Sequence, residues 1–461
     1  MRWAELAGQR VAVLGFGAEG RAACHAFRRH LPQQSLHLFC NGDEAEAAQM
    51  LADTRLTVDT LPATLTSLRA FDVVIKSPGV SPYQAPVAPA IDAGVRFISG
   101  SAIWFAEHPL AHSIAVTGTK GKSTTAALIA HLLRAGGYRT ALAGNIGLPL
   151  LDLTEDDTVV AHVIELSSFQ TYDFDASPRV ALITNLIEEH LDWHGSAARY
   201  VADKLRILGD RHRTIAVLNE EDATLTGRDH RGDVHWFGGG APWHLDGTHV
   251  CHGQTPVLAL SDLPLSGRHN ALNLCGALAT IDAAGFDARS LAAHVRRFIP
   301  LPHRLQTLGT RAGITCVNDS IATTPQAALA ALAHFSGSAV AILLGGHERG
   351  LDWTAFARAI AVQPPRAIVT MGANGTRIAD TLAAHGLAAF VQRATGLDAA
   401  YAIAHRALGS GGVLLLSPGA PSFGEFRDYA ERGRRFAELA GFDPGAITAI
   451  DGLGIARTRV Q

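Results

Sequence analysis

"AVTGTKGKSTTAAL", residues 115–128, is the stretch on which the reading of the chain turns. It is close to the phosphate-loop pattern G-x-x-x-x-G-K-[ST] but departs from it: counting back from Gly121-Lys122-Ser123, Val116 holds the place of the first glycine, and the earlier glycine falls at Gly118. The flanks decide between accident and a shortened loop. "HSIAV" before it is a short apolar run of strand type, and "STTAALIAHLLRAGG" after it places apolar residues at helical spacing before a glycine stop. Strand, glycine loop and helix together aim backbone N–H groups and a helix N-terminus at a polyphosphate. Gly118, Thr119, Lys120, Gly121 and Thr124 then form the cradle, Lys122 supplies a point charge to the outer phosphates, and Ser123 offers its hydroxyl to Mg²⁺.

A chain of 461 residues predicts three domains at roughly 150 residues each. Hydrophobic residues make up 48%, yet no run approaches the ~20 needed to span a bilayer. "MRWAELAGQR" has no apolar signal-peptide core, so a cytoplasmic protein with no membrane partner is expected. The five cysteines are scattered and never in C-x-x-C, which argues against a disulfide framework and a thiolate zinc site. A net charge of −3 carries no signature of nucleic-acid binding, so positive charge for anionic ligands must be local.

Upstream, "RVAVLGFGAEGRAACHAF" reads as strand, G-x-G-x-x-G turn (Gly15, Gly17, Gly20) and helix, followed by a strand at "LHLFC". A dinucleotide unit places an acidic residue at the end of that second strand, but here it reads Phe39-Cys40-Asn41, which argues against NAD. "FDVVIKSPGVSP" ends in another Gly/Ser/Pro loop. Residues 1–99 are therefore expected to form a Rossmann-like domain. Residues 100–300 carry the phosphate loop in a central domain, and from 301 a third alternation begins, with strands at "AVAILLGG", "RAIVTMG" and "GVLLLSPG". The expected class is α/β, with three mainly parallel domains.

Polar groups gather at element boundaries. Glu165 ends an apolar strand and opens "ELSSFQ", a natural place for a Mg²⁺ ligand, although a strand-end glutamate facing solvent is the ordinary alternative. In "TNLIEEHLDWHG", His190 and His194 stand four apart, but Leu191 follows the first where H-E-x-x-H needs glutamate, so a metalloprotease is rejected. Lys204 in "ARYVADKLRIL" lies on an expected helix and by itself reads as a solvated lysine. "HNALN" (Asn270, Asn273), "PHR" (His303, Arg304) and "NDSIAT" (Asp319, Ser320, Thr323) complete the set.

Taken in order, G-x-G-x-x-G, "SPGVS", "GTKGKS", "GNIG", "ELSSFQ", "TNLIEEHLDWHG" with Lys204, "HNALN", "PHR", "NDSIAT", "LLGG" and the "LLSPG" segment resemble the Mur ligases over essentially the whole chain. These are ATP-dependent amino-acid-adding enzymes of peptidoglycan synthesis, and the likeness is to their glutamate-adding branch. The short phosphate loop is the form that family uses. The resemblance implies that Gly15, Phe16, Gly17, Asn41, Ser77, Pro78, Gly79 and Asn145 hold UDP-N-acetylmuramoyl-L-alanine. It implies that residues 118–124, Asn270, Arg304 and Asp319 serve ATP, and that Ser123, Glu165, His190 and a carbamylated Lys204 support Mg²⁺. Lys122, Glu165, His190 and Lys204 are the implied catalytic set. The third domain would supply glutamate through Thr323, Arg349, Ser422, Phe423 and Tyr429, and a monomer is expected.

Where the amino acid binds, the chain leaves the usual pattern. Ile321 stands in place of a lysine, Arg349 in "GGHERG" replaces another, and "SPGAPSFGEF" keeps Ser422 but brings Phe423, Gly424 and Glu425. A planar guanidinium holds a carboxylate differently from a point charge. These changes resemble the branch that adds L-glutamate and depends on a later epimerase, so L-glutamate is expected over D-glutamate. A dehydrogenase is opposed by the missing acidic clamp, and a non-catalytic nucleotide-binding protein leaves Glu165, His190 and Lys204 unexplained. The D-N-P-R signature of diaminopimelate-adding relatives is absent, and folylpolyglutamate synthases lack the N-terminal glycine domain.

Overall fold

The computed structural model describes residues 1–455 except 211, 266, 449 and 451. They form two compact units, one of Met1–Phe298 with Gly452–Gln461 and one of Ile299–Asp451.

The first unit holds two sheets. Its N-terminal sheet is parallel, in the order Leu56–Asp59, Leu36–Phe39, Val11–Leu14, Val73–Lys76, Arg96–Ile98. The order reverses beside Val11–Leu14, so the loops after that strand and after Val73–Lys76 meet at a topological switch point, where open α/β sheets take ligands. Gly15 there has φ +91°, and a Cβ at Gly20 would lie 2.0 Å from the Gly15 carbonyl oxygen. Only glycine lets the helix Ala18–His30 pack this close.

The second sheet is built on parallel strands in the order Val234–Phe237, Ile215–Asn219, Val180–Ile183, Ser113–Thr117, Ala161–Glu165, Thr140–Gly144. Ser113–Thr117 is buried at every position, as its apolar run requires. The phosphate loop leaves its C-terminal end and enters the helix Lys122–Ala135. That helix and Arg268–Ala283 bury long faces against this sheet. One core joins both sheets, through Phe27, Trp104, Leu151 and Phe174 among others.

Antiparallel pairs lie at both edges of this mainly parallel sheet. Trp243–Asp246, His249–His252 and Thr255–Ala259 extend one edge as an antiparallel meander. At the other edge Gly454–Ile455 pairs antiparallel with Thr140–Gly144, and Arg134 holds this return by donating to the carbonyls of Gly452 (2.6 Å) and Gly454 (2.7 Å).

The second unit is a six-stranded sheet in the order Gln306–Arg311, Ile314–Asn318, Gly412–Leu416, Val340–Leu344, Ala367–Thr370, Val391–Arg393. It is parallel except for the hairpin that opens it. Successive strand residues feed opposite faces: Ile342 and Leu344 enter one core, Ala341 and Leu343 the other. All five cysteines are buried thiols. Among the described residues no helix is long and apolar enough to cross a membrane.

Candidate active site

The phosphate loop is locked from the neighbouring strand. The Thr184 hydroxyl donates to the Lys120 carbonyl (2.7 Å), the Lys120 N–H donates to Asn185 Oδ1 (2.9 Å), and the Thr119 N–H donates to the Asn185 carbonyl (2.8 Å). Gly118 has φ +143°, and a Cβ there would meet Thr184 Oγ1 at 1.9 Å; at Gly121 (φ +87°) it would meet Asn273 Oδ1 at 2.4 Å. The loop is thus closed by the "TN" and "HNALN" segments, and both glycines are required by space and by backbone angle. Lys122 Nζ donates to the Thr119 carbonyl (2.9 Å), and Ser123 and Thr124 are buried in the first turn of the helix. Asn270 lies one turn before Asn273, which donates to it at 3.4 Å.

Lys204 is not a solvated lysine. It is 1% exposed, and its Nζ donates to the Gly118 carbonyl at 2.7 Å. Burial, then the charge of Lys122, hold its amine well below the usual lysine range, while Glu189 and Glu165 pull the other way. Glu165 is fully buried at its strand end rather than facing water. The Asn145 side chain donates to its Oε1 (3.0 Å), and its Oε2 has no hydrogen-bond partner. A buried carboxylate oxygen without a donor is costly, and a cation beside it resolves the cost. Glu165 and Ser123 thus present hard oxygen donors of the kind that Mg²⁺ prefers.

His190 and His194 face different surroundings. His190 has φ +54°, a half-exposed ring tilted against Phe169 (4.9 Å between centroids), and a proton affinity lowered first by burial and further by Lys204 and Lys122, with Glu189 opposing. His194 is fully buried, its Nδ1 2.7 Å from Asp203 and its Nε2 3.0 Å from the Ser168 hydroxyl. No zinc-type cluster of three His, Cys, Asp or Glu residues occurs among the described residues.

On the N-terminal sheet, the Ser77 hydroxyl donates to the Gly15 carbonyl (3.1 Å), which joins the two switch-point loops; Pro78 and Gly79 follow in the second. Phe16 is fully buried, and Asn41 caps the next helix by accepting from the Glu44 N–H (2.9 Å).

In the second unit, Asp319 accepts from Ser417 (2.7 Å) and from the Leu305 N–H (3.1 Å), beside Arg304; burial pushes its carboxyl up to about 6. Burial also takes His303 down to about 4. The loops carrying the remaining candidates are tied by the backbone: the His347 N–H donates to the Pro421 carbonyl (2.8 Å), and the Phe423 ring lies 6.1 Å from the His347 ring. Ser422 is buried, Thr323 partly buried, and Arg349, Phe423 and Tyr429 are exposed.

Sequence reasoning missed Thr184, Asn185 and Asp203, and by itself it read Lys204 as solvated, so that only the family resemblance gave this residue a role. A signal was present: Lys204 lies four residues after Tyr200 and three before Ile207, on the apolar stripe of its helix, so it had to point inward.

A phosphate loop on a parallel sheet, with a buried carboxylate and a desolvated lysine beside it, defines an enzyme that uses a nucleoside triphosphate. The model of the Mur ligase middle domain matches residues 116–281, and that of the Mur ligase glutamate ligase domain matches residues 303–419. UDP-N-acetylmuramoyl-L-alanine--L-glutamate ligases from Xanthomonas axonopodis pv. citri and Xanthomonas euvesicatoria pv. vesicatoria are 51% and 52% identical, each over 99% of this chain and 100% of its own length. The fold is shared with UDP-N-acetylmuramate-alanine ligase MurC from Thermotoga maritima (TM-score 0.62, 20% identity, 94% of this chain and 99% of that one). The chain belongs to the Mur ligase family and is an ATP-dependent amide ligase.

Proposed function

We propose that the protein joins glutamate, with L-glutamate preferred, to UDP-N-acetylmuramoyl-L-alanine at the expense of ATP, as a cytoplasmic step of peptidoglycan precursor synthesis. The observation that carries the reading is Lys204, desolvated beside Lys122 and the unpartnered oxygen of Glu165. Burial favours the neutral form of the Lys204 amine, which is nucleophilic toward CO₂; with loss of a proton to solvent the carbamate would replace a cation by an oxygen ligand. Mg²⁺, held by Ser123, Glu165, His190 and that carbamate, would neutralise charge on the phosphates.

The chain's own groups do the rest. The loop N–H groups and Lys122 grip the outer phosphates of ATP, with Asn270 at the base and Arg304 and Asp319 at the far side of the nucleotide. The loops at 15–17, Asn41, 77–79 and Asn145 hold the nucleotide sugar so that its alanyl carboxylate attacks the γ-phosphorus, giving an acyl phosphate and ADP. Thr323, Arg349, Ser422, Phe423 and Tyr429 orient glutamate, whose amine attacks the acyl carbon; phosphate leaves as the amide forms. Catalysis is positioning and charge neutralisation.

The preference for L-glutamate is supported by the names of relatives about half identical over full length and by Ile321, Arg349 and Phe423 standing where the usual pattern differs. The protein then acts as a monomer, and a later epimerase must invert the new centre if the wall is to contain D-glutamate. Phosphate release with UDP-N-acetylmuramoyl-L-alanine and each glutamate enantiomer tests the reading. Release that needs both substrates and is faster with L-glutamate is expected; equal or greater efficiency with D-glutamate overturns the stereochemistry, and release with neither overturns the reaction.

A further inference from the structure

The residue next to Lys204 has been given no role, yet it is among the more deeply buried carboxylates of the first unit. Asp203 is 2% exposed. Its oxygens accept from the Tyr83 hydroxyl at 2.7 and 2.8 Å and lie 2.7 Å from His194 Nδ1, whose other nitrogen reaches Ser168 in the turn that follows Glu165. Burying a carboxylate in the last turn of a helix is unfavourable unless its partners are fixed, so these contacts specify one geometry.

The partners come from two places that the reaction must bring together. Tyr83 belongs to the segment that follows the strand Val73–Lys76 and includes Ser77, Pro78 and Gly79. The same segment reaches the 190s twice more: Ser81 donates to the Trp193 carbonyl (2.6 Å), and the Trp193 indole N–H donates to the Gly79 carbonyl (3.2 Å). Lys76, 2% exposed and without a hydrogen-bond partner for its amine, lies 4.8 Å from the Tyr172 ring centroid and 5.4 Å from that of Trp193, in the field of Asp173 and Asp203. The helix Ala197–Leu205 therefore works in two directions. Tyr200 and Lys204, one turn apart, hold the phosphate loop at the Thr119 hydroxyl (2.7 Å) and the Gly118 carbonyl (2.7 Å), while Asp203, rotated about 100° from Lys204, holds segment 76–83.

We propose that Asp203 is a positioning residue that sets Lys204 and the phosphate loop in register with segment 76–83, so that the seating of the nucleotide sugar is transmitted to the place where the γ-phosphate is held. The inference rests on the function proposed above in taking 77–79 as the nucleotide-sugar loop. Binding at that loop bears on Tyr83 and Trp193, then on Asp203, and then on the two side chains that the same helix sends to Thr119 and Gly118.

The test uses the full-length protein as wild type, Asp203→Asn, Tyr83→Phe and the double variant. A misregister of this kind costs on the order of 10- to 100-fold in kcat/KM for the nucleotide sugar, while KM for ATP moves less than about twofold. Because Tyr83 and Asp203 act through one contact, the double variant should lose no more than the worse single one. Tyr83→Phe removes one hydroxyl from a partly buried side chain, so it keeps the test open if Asp203→Asn, which removes one of the two carboxylates that face Lys76, does not fold. A second readout does not depend on turnover: hydrogen exchange at the amides of 117–122 should slow when UDP-N-acetylmuramoyl-L-alanine binds wild type, and should not change in Tyr83→Phe. Losses that multiply in the double variant, a lowered Tm with kcat/KM unchanged, or protection that persists in Tyr83→Phe would each overturn the proposal. Wild type that gains protection yet releases no phosphate with either glutamate would keep the coupling and sink the proposed reaction.

Discussion

The end of the central sheet that carries the phosphate loop and the loops of the second unit that carry the amino-acid candidates are built on opposite terms. The carbonyls of Thr117, Gly118, Thr119 and Lys120 are each held by a neighbouring group, and Lys204 and Glu165 are sealed from water. In the second unit Arg349 and Phe423 stand in solvent on loops joined by a main-chain contact, and Tyr429 is exposed at the start of a helix. The groups that handle phosphate need a fixed, dry field, because electrostatic stabilisation there depends on donors that do not reorganise. The groups that choose an amino acid need only to meet it correctly, and exposed loops can be altered without disturbing a core.

The sharpest way to break this contrast is Lys122→Ala, which should lower phosphate release by at least ~10³-fold, about 4 kcal/mol of transition-state stabilisation, while calorimetric binding of the nucleotide sugar survives. Near-normal turnover would mean that the loop does not serve ATP. Lys204→Ala should cost ~10²-fold, about 3 kcal/mol, and a small added carboxylate should recover part of it where an added amine does not. Full activity would return Lys204 to a purely structural role.

Glu19, in the first turn of the helix Ala18–His30, accepts from the Gln170 amide at 2.8 Å; burial, and more weakly Asp152, raise its carboxyl to about 7. The folded protein then keeps a proton that the unfolded chain releases between about pH 4.5 and 7, so stability falls as pH rises through that window and levels off above it. Glu19→Gln should flatten this slope and leave the variant about 2 kcal/mol more stable than wild type at pH 8, read by denaturant titration at several pH values. A slope unchanged by the substitution would place the proton elsewhere. The smallest effect is expected on the exposed side. Arg349→Ala should reduce the preference for L- over D-glutamate by ~5-fold, about 1 kcal/mol, with folding stability moved by less than about 0.5 kcal/mol. A change in Tm without a change in preference would reverse the assignment of that loop.

What was legible in the sequence follows the same division. The strand–glycine–helix units could be read because glycine positions and apolar runs are local signals, and Gly15, Gly20, Gly118 and Gly121 all prove to be sterically required. The antiparallel meander was not legible, since "WHLD", "HVCH" and "TPVLA" are four or five residues long and mix histidine, proline and acid among few apolar positions. The identity of Glu165 as a boundary residue was visible, but its burial was not, because the strand pattern does not say what covers its end. The pairing of Asp203 with Tyr83 spans 120 positions, and no local pattern carries a contact of that separation.

The return of Gly454–Ile455 to the central sheet has a consequence for synthesis of the protein. Thr140–Gly144 is an edge strand until that segment arrives, and the segment is encoded roughly 300 residues later, on the far side of the second unit. At ~5–20 residues per second, a nascent chain exposes the open edge for about 15–60 s, long enough for two ribosomes on one message to bring such edges together. Arg134 then acts as a latch that closes last, and the cell's opportunity to misassemble this protein is set by translation speed across residues 145–453.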